Sequence, residues 1–233
     1  MSGKYIIIEG IDGSGKTTMS ERLEMWLADQ DVPSRYTRHP GATSFGGEIR
    51  RLTKEYDLDP ITEALLFAVD NSAFTHQILR PNLADGTWII ADRSNFISSL
   101  AYQIASGCSI DDLDRVHDAI PSPPKADLLI ILRANPDVVK SRVMGRGGVG
   151  KDRFEQKMNE DRTYFSKVAK AYDMMLDEPN KEFQHRLSKF VNLTTTTPHP
   201  VPRCLGIDAN RSEDEVFASI VETVKPLLSP VSV

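Results

Sequence analysis

The segment Gly10-Ile11-Asp12-Gly13-Ser14-Gly15-Lys16-Thr17 constrains this chain more than any other, because it reads G-x-x-x-x-G-K-[ST] between a β-branched run and a helical one. Tyr5–Ile8 before it reads as a strand, and Met19, Leu23, Trp26 and Leu27 after it recur at helical spacing. Strand, glycine turn and helix in that order aim successive backbone N–H groups, and the positive end of the helix dipole, at one place. That place suits phosphate oxygens. Lys16 can neutralise them, Thr17 can ligate Mg²⁺, and Gly10 to Thr18 together form the cradle of a nucleoside triphosphate site.

Further apolar runs at Thr87–Ala91, Asp127–Leu132 and Arg203–Ile207, with a weaker one at Ser34–Thr37, alternate with helical patterns. Strands this apolar are covered on both faces, and the intervals leave room for crossover helices. The expectation is an α/β domain of three layers around a parallel sheet of about five strands. One helix has a marked start at Asp59-Pro60 and an expected stop at Pro81; it carries Phe67 and Asn71 on one face. Another is expected from about Pro136 to Gly145, with Arg142 and Arg146 opening into a glycine-rich loop. The stretch from Asp177 to Pro202 is polar and turn-rich and reads as an insertion or long surface hairpin within a single domain spanning 1–233.

The formal net charge of −5 gives no global attraction to nucleic acid or to anionic membranes. Apolar runs such as Ala64–Val69 fall short of the roughly 18 residues a membrane span needs. Cys108 and Cys204 lack partners at metal-ligand spacing and read as free thiols, so a cytoplasmic protein is expected.

Asp92-Arg93 closes the third apolar run. An aspartate at that strand end stands beside the phosphate loop, where it can hold Mg²⁺ directly or through water. The arginine next to it suits a phosphate-bearing second substrate better than water. A guanine-reading N-K-x-D is missing, since Asn180-Lys181-Glu182-Phe183 lacks the aspartate. Phosphoryl transfer to a phosphorylated acceptor is the favoured chemistry.

Taken in order, these residues resemble the thymidylate kinase family of P-loop nucleoside monophosphate kinases. The resemblance rests on Glu9 to Thr18, Arg38-His39-Pro40-Gly41-Ala42-Thr43, Gly47-Glu48-Ile49-Arg50 and Glu63-Ala64-Leu65-Leu66-Phe67-Ala68. It continues through Asp92-Arg93, Ser98 to Gln103, Arg146-Gly147, Asp152 to Glu155 and Ile207-Asp208-Ala209. It implies a P-loop NTPase fold, transfer of the ATP γ-phosphoryl group to dTMP, Mg²⁺ on Thr17 and Asp92, and a homodimer. Lys16, Asp92, Arg93 and Arg146 would be catalytic, with Arg142 and Arg146 also reaching ATP from a lid at about 142–155. Phe67 would stack on the thymine, while Arg50 and Arg93, supported by Arg38, would grip the dTMP phosphate. Asp12 would contact the acceptor from inside the loop; Ser99, Tyr102 and Gln103 would line base and deoxyribose. Since Gly13 occupies the position where some members carry a loop arginine, the transition-state cation falls to the lid.

Three features depart from the family pattern: Asn71 where members usually carry arginine, one extra residue between Asp92 and Gln103, and a lid about two residues longer. They leave open a kinase for modified or more varied pyrimidine monophosphates. A P-loop regulator without acceptor chemistry is the alternative of another class.

Overall fold

The computed structural model describes residues 3–139, 163–177, 180–193 and 203–228. Its centre is a five-stranded sheet in the order β2-β3-β1-β4-β5, every pairing parallel. The strands are β1 (Tyr5–Gly10), β2 (Ser34–Arg38), β3 (Trp88–Asp92), β4 (Leu128–Arg133) and β5 (Cys204–Asp208). All residues of β1 and β3 are buried, as their unbroken apolar runs require of strands covered on both faces.

Alternation along the strands feeds two cores. Ile6, Ile8, Ile90, Leu128 and Ile130 pack with α1 (Lys16–Asp29) and, at the far end of the chain, the helix Glu213–Val224. Ile7, Ile89, Leu129 and Ile131 face the opposite layer. That layer holds α3 (Pro60–Phe74), α5 (Asn95–Ala105), α6 (Ile110–Asp118), α7 (Tyr164–Leu176) and α8 (Lys181–Phe190). The shorter α2 (Ser44–Glu55) follows β2, and α4 (Arg80–Asp85) leads into β3.

The sheet gives the site its place. From β1 the chain crosses through α1 to β2 on one side, whereas β4 lies on the other side of β1, so the loop after β1 sits where the strand order reverses.

Two expectations are corrected. Pro81 does not end the helix begun at Pro60: a π-helical turn, Thr75–Leu79, links α3 directly to α4, with Pro81 in the first turn of α4. A proline inside a regular helix clashes with the carbonyl four residues back, and a wider turn relieves that conflict. The stretch expected as a surface hairpin contains α8, whose Phe183, Leu187 and Phe190, followed by Val191, are buried in the main core. Val191 bridges to Ala126 at the entry to β4. The helix expected from about Pro136 is helical over 136–139; the rest of it, Arg142, Arg146 and the lid at about 142–155 lie outside the described residues, as do 194–202.

Candidate active site

Gly10 ends β1 with φ 143°, and a Cβ there would come within 2.6 Å of the Leu132 carbonyl oxygen, so the loop can leave the sheet only through glycine. Gly13 and Gly15 also have positive φ, and Gly15 is the residue from which α1 starts. The turn holds Lys16 inside the loop, its ammonium donating to the carbonyls of Gly10 at 3.0 Å and Ile11 at 2.8 Å. Burial, aided by the neighbouring Arg93 charge and opposed by Asp12, Asp92 and Glu9, lowers the Lys16 pKa to about 8.

Thr17, one residue into α1, donates its hydroxyl to Asp92 Oδ2 at 2.6 Å. Asp92 is paired in register with Ile8 and Arg38, which fixes it at the carboxyl end of β3 beside the loop. The Tyr36 hydroxyl donates to the same oxygen at 3.4 Å and Arg38 Nε stands 3.9 Å from it. A buried carboxyl and a hydroxyl, both hard oxygen donors, are chemically suited to Mg²⁺.

Arg93 carries φ 80°, a strained conformation for a residue with a side chain, of the kind that persists only when its surroundings enforce it. They do. Its guanidinium donates to Asp12 Oδ1 at 2.7 Å and to the Tyr102 hydroxyl at 3.0 Å, and lies 3.5 Å from Glu9 Oε2. Burial works against the charge, but Tyr102, Asp12, Tyr172 and Glu9 together raise the Arg93 pKa well above normal. Reciprocally, burial would raise the Asp12 pKa, but the Arg93 and Lys16 charges overcome it and hold that carboxyl down at about 2. Tyr102 also accepts from the Asp12 backbone N–H at 3.1 Å, so the donor loop and α5 are joined at the point where Arg93 stands.

Arg50, on α2, donates to the Pro40 carbonyl at 3.1 Å. Phe67 and Asn71 lie one turn apart on α3 and are both buried. Ser99 and Gln103, one turn apart on α5, are each 1% exposed and turned inward: the Ser99 hydroxyl donates to the Asn95 carbonyl, and Gln103 Nε2 donates to Glu63 Oε2 at 2.8 Å.

Sequence reasoning gave no role to Glu9 or Tyr172. Glu9, fully buried in β1, accepts from the Ser94 N–H at 2.8 Å, the Ser98 hydroxyl at 2.9 Å and the Tyr172 hydroxyl at 2.8 Å. A lone carboxyl in an otherwise apolar buried strand was the available signal. A cavity of about 410 Å³ lies at the carboxyl ends of β4 and β5, lined among others by Ile11, Arg133, Asn135, Asp208 and Asn210.

Residues 8–189 match the family described as Thymidylate kinase. The chain belongs to the thymidylate kinase family. A thymidylate kinase of Caldicellulosiruptor saccharolyticus is 31% identical over 231 residues, covering 98% of both chains. The thymidylate kinase of Symbiobacterium thermophilum is 32% identical over 234 residues, covering 96% of this chain and 94% of its own. That of Carboxydothermus hydrogenoformans is 38% identical over 165 residues, covering 69% and 79% respectively. The family therefore spans α8 as well, whose helix lies largely within the matched residues. Among the described residues no helix is long and apolar enough to cross a membrane.

Proposed function

We propose that this chain transfers the γ-phosphoryl group of ATP to dTMP, releasing ADP and dTDP. Its membership of the thymidylate kinase family supports the reaction and favours neither the broader pyrimidine kinase nor the non-catalytic regulator. The observation that carries the site reading is the 2.7 Å contact between Arg93 and Asp12, because it sets an acceptor-side guanidinium against the donor loop itself.

An acceptor phosphate held by Arg93, Arg50 and Arg38 would present an oxygen in line with the γ-phosphorus. The new P–O bond forms as the bond to the bridging β,γ-oxygen breaks, and the departing charge remains on ADP. No protein nucleophile is required; position and charge supply the catalysis. Lys16 exchanges its two carbonyl acceptors for phosphate oxygens, which restores a full positive charge to a group whose pKa burial has lowered. Thr17 and Asp92 would hold Mg²⁺, which when bound neutralises the phosphates. Phe67 offers a flat face to the base with Asn71 beyond it, and Tyr102 excludes a ribose hydroxyl. The cavity at the ends of β4 and β5 accommodates the donor nucleoside. Arg142 and Arg146, from the lid at about 142–155, complete the charge on the transferring group.

A single domain over 1–233, working in the cytoplasm as a homodimer, belongs to the same reading. Leu65 and Val69, 48% and 45% exposed on the outward side of α3, support a second copy there. Coupled ADP release across a panel of nucleoside monophosphates tests the reaction. Turnover with dTMP far above dCMP, dGMP and the ribonucleotides is expected, and no turnover with dTMP would refute the proposal.

A further inference from the structure

Helices α3 and α5 meet through buried polar pairs at two levels. Gln103 Nε2 donates to Glu63 Oε2 at 2.8 Å, and Asn95 Nδ2 donates to Asp70 Oδ2 at 2.6 Å. The α3 numbers rise as the α5 numbers fall, so the helices run antiparallel and the contacts stand about two turns apart on each. Phe67 lies between the two levels on α3.

The Asp70 level is the more heavily constrained. Asp70 is fully buried, and His39 Nδ1, itself 1% exposed, stands 3.6 Å from Asp70 Oδ2 with its ring edge-on to Phe74. A Cβ on Gly46 of α2 would fall 2.0 Å from Asp70 Oδ1, so the backbone of α2 is pressed against this carboxyl. The backbone N–H of His39 donates to the Asp92 carbonyl at 3.0 Å. One carboxyl thus gathers the end of β2, α2, α3 and the start of α5, and these elements carry Arg38, Arg50, Phe67 and, two residues before Asn95, Arg93.

As a source of stability this junction is poor. Among the described residues, Asp70 Oδ1 and both His39 ring nitrogens have no hydrogen-bond partner, and buried polar groups in that condition cost more than apolar side chains of the same size. Geometry is what it supplies. We propose that Glu63–Gln103 and Asp70–Asn95 are positioning clamps that set the distance between the Phe67 platform and the α5 wall, and thereby the affinity for the pyrimidine of the acceptor. This rests on the acceptor-site reading given above.

Steady-state kinetics and thermal unfolding of the full chain test it. Asp70→Asn keeps the shape but turns the Asn95 contact into an amide pair, and is expected to raise KM for dTMP about tenfold, the difference between a buried hydrogen bond to a carboxylate and one to a neutral amide. KM for ATP should stay within about twofold and Tm within about 3 °C. The exchange Asp70→Asn with Asn95→Asp rebuilds an amide–carboxylate bond in the opposite sense and should recover most of the dTMP affinity. Asn95→Ala provides the same measurement with Asp70 in place if the first variant does not fold. An unchanged KM for dTMP, a parallel rise in both KM values with a large fall in Tm, or failure of the exchange to recover affinity overturns the clamp. Phe67→Ala separates the two levels of inference. If it leaves KM for dTMP unchanged, the acceptor reading and the clamp both fall; if it raises KM while the Asp70 and Asn95 variants do not, only the clamp falls.

Discussion

Replacing Glu9 with glutamine should loosen Arg93 and destabilise the fold together. In the parent, Glu9 Oε1 faces the Ser94 N–H at 2.8 Å and the Ser98 hydroxyl at 2.9 Å, while Oε2 faces the Tyr172 hydroxyl at 2.8 Å and the Arg93 guanidinium at 3.5 Å. The two hydroxyls can turn to accept; a backbone N–H and a guanidinium cannot. A glutamine amide must therefore point its NH₂ group at one of those two obligate donors, whichever way it is flipped. The result is a buried donor-to-donor contact and the loss of a charged partner from Arg93, which together cost about 3 kcal/mol. For a chain of this length that corresponds to a fall in Tm of about 6–12 °C by calorimetry. Arg93, left with Asp12 as its close carboxyl partner, should hold the acceptor phosphate less well, raising KM for dTMP several-fold. A Tm within about 2 °C of the parent would refute the reasoning, since it would mean that Glu9 does not hold these donors.

Two pH effects follow from buried bases. With a Lys16 pKa of about 8 in the free protein, phosphate oxygens that favour the ammonium must draw in a proton above that pH, so ATP affinity should fall about tenfold between pH 7 and 9. Titration calorimetry in buffers of different ionisation enthalpy should show uptake approaching one proton per ATP at pH 9; no uptake would contradict the assignment. His117 is packed edge-on against Phe96 and Phe190, and burial, assisted by Lys189 and opposed by Asp114 and Asp118, lowers its pKa to about 4. The unfolded chain then binds a proton below its ordinary pKa of about 6.5 that the folded chain refuses until about 4. Stability should therefore fall by about 3 kcal/mol as pH drops through that window. His117→Leu should flatten this part of the Tm–pH curve, and an unchanged slope would place the acid sensitivity elsewhere.

What the sequence disclosed depended on how local the cause was. The β1–loop–α1 unit is legible because each of its constraints, apolar strand, positive-φ glycines and helix start, lies within about a dozen residues. Strand ends differed from expectation by a residue or two, while Asp92, expected at the carboxyl end of its strand, is the last residue of β3. α8 was hidden by its polar surface, although Phe183, Leu187 and Phe190 recur at helical spacing and Asn180 caps the Phe183 N–H. The π-helical turn before Pro81 could not be read from a proline alone, because the rule that proline ends a helix assumes a regular one. Within the site, Arg93 was visible from its neighbour Asp92. Its partners Glu9 and Tyr172 are 163 positions apart and meet only after the sheet and α7 have formed. Ser99 and Gln103 were read as lining base and deoxyribose; the Gln103 bond to Glu63 on α3 has no signal in the local sequence, because that partner lies forty residues away.

The approach of α2 to Asp70 also makes a statement about sequence history. A side chain at position 46 and the present placement of the Asp70 carboxyl exclude one another, because the Cβ alone would occupy the space of Oδ1. Position 46 is not free to drift by itself: an alanine there becomes admissible only after 70 has become smaller or turned away. Among relatives, a side chain at 46 should therefore occur only where position 70, twenty-four residues on and on a different helix, is smaller or differently placed.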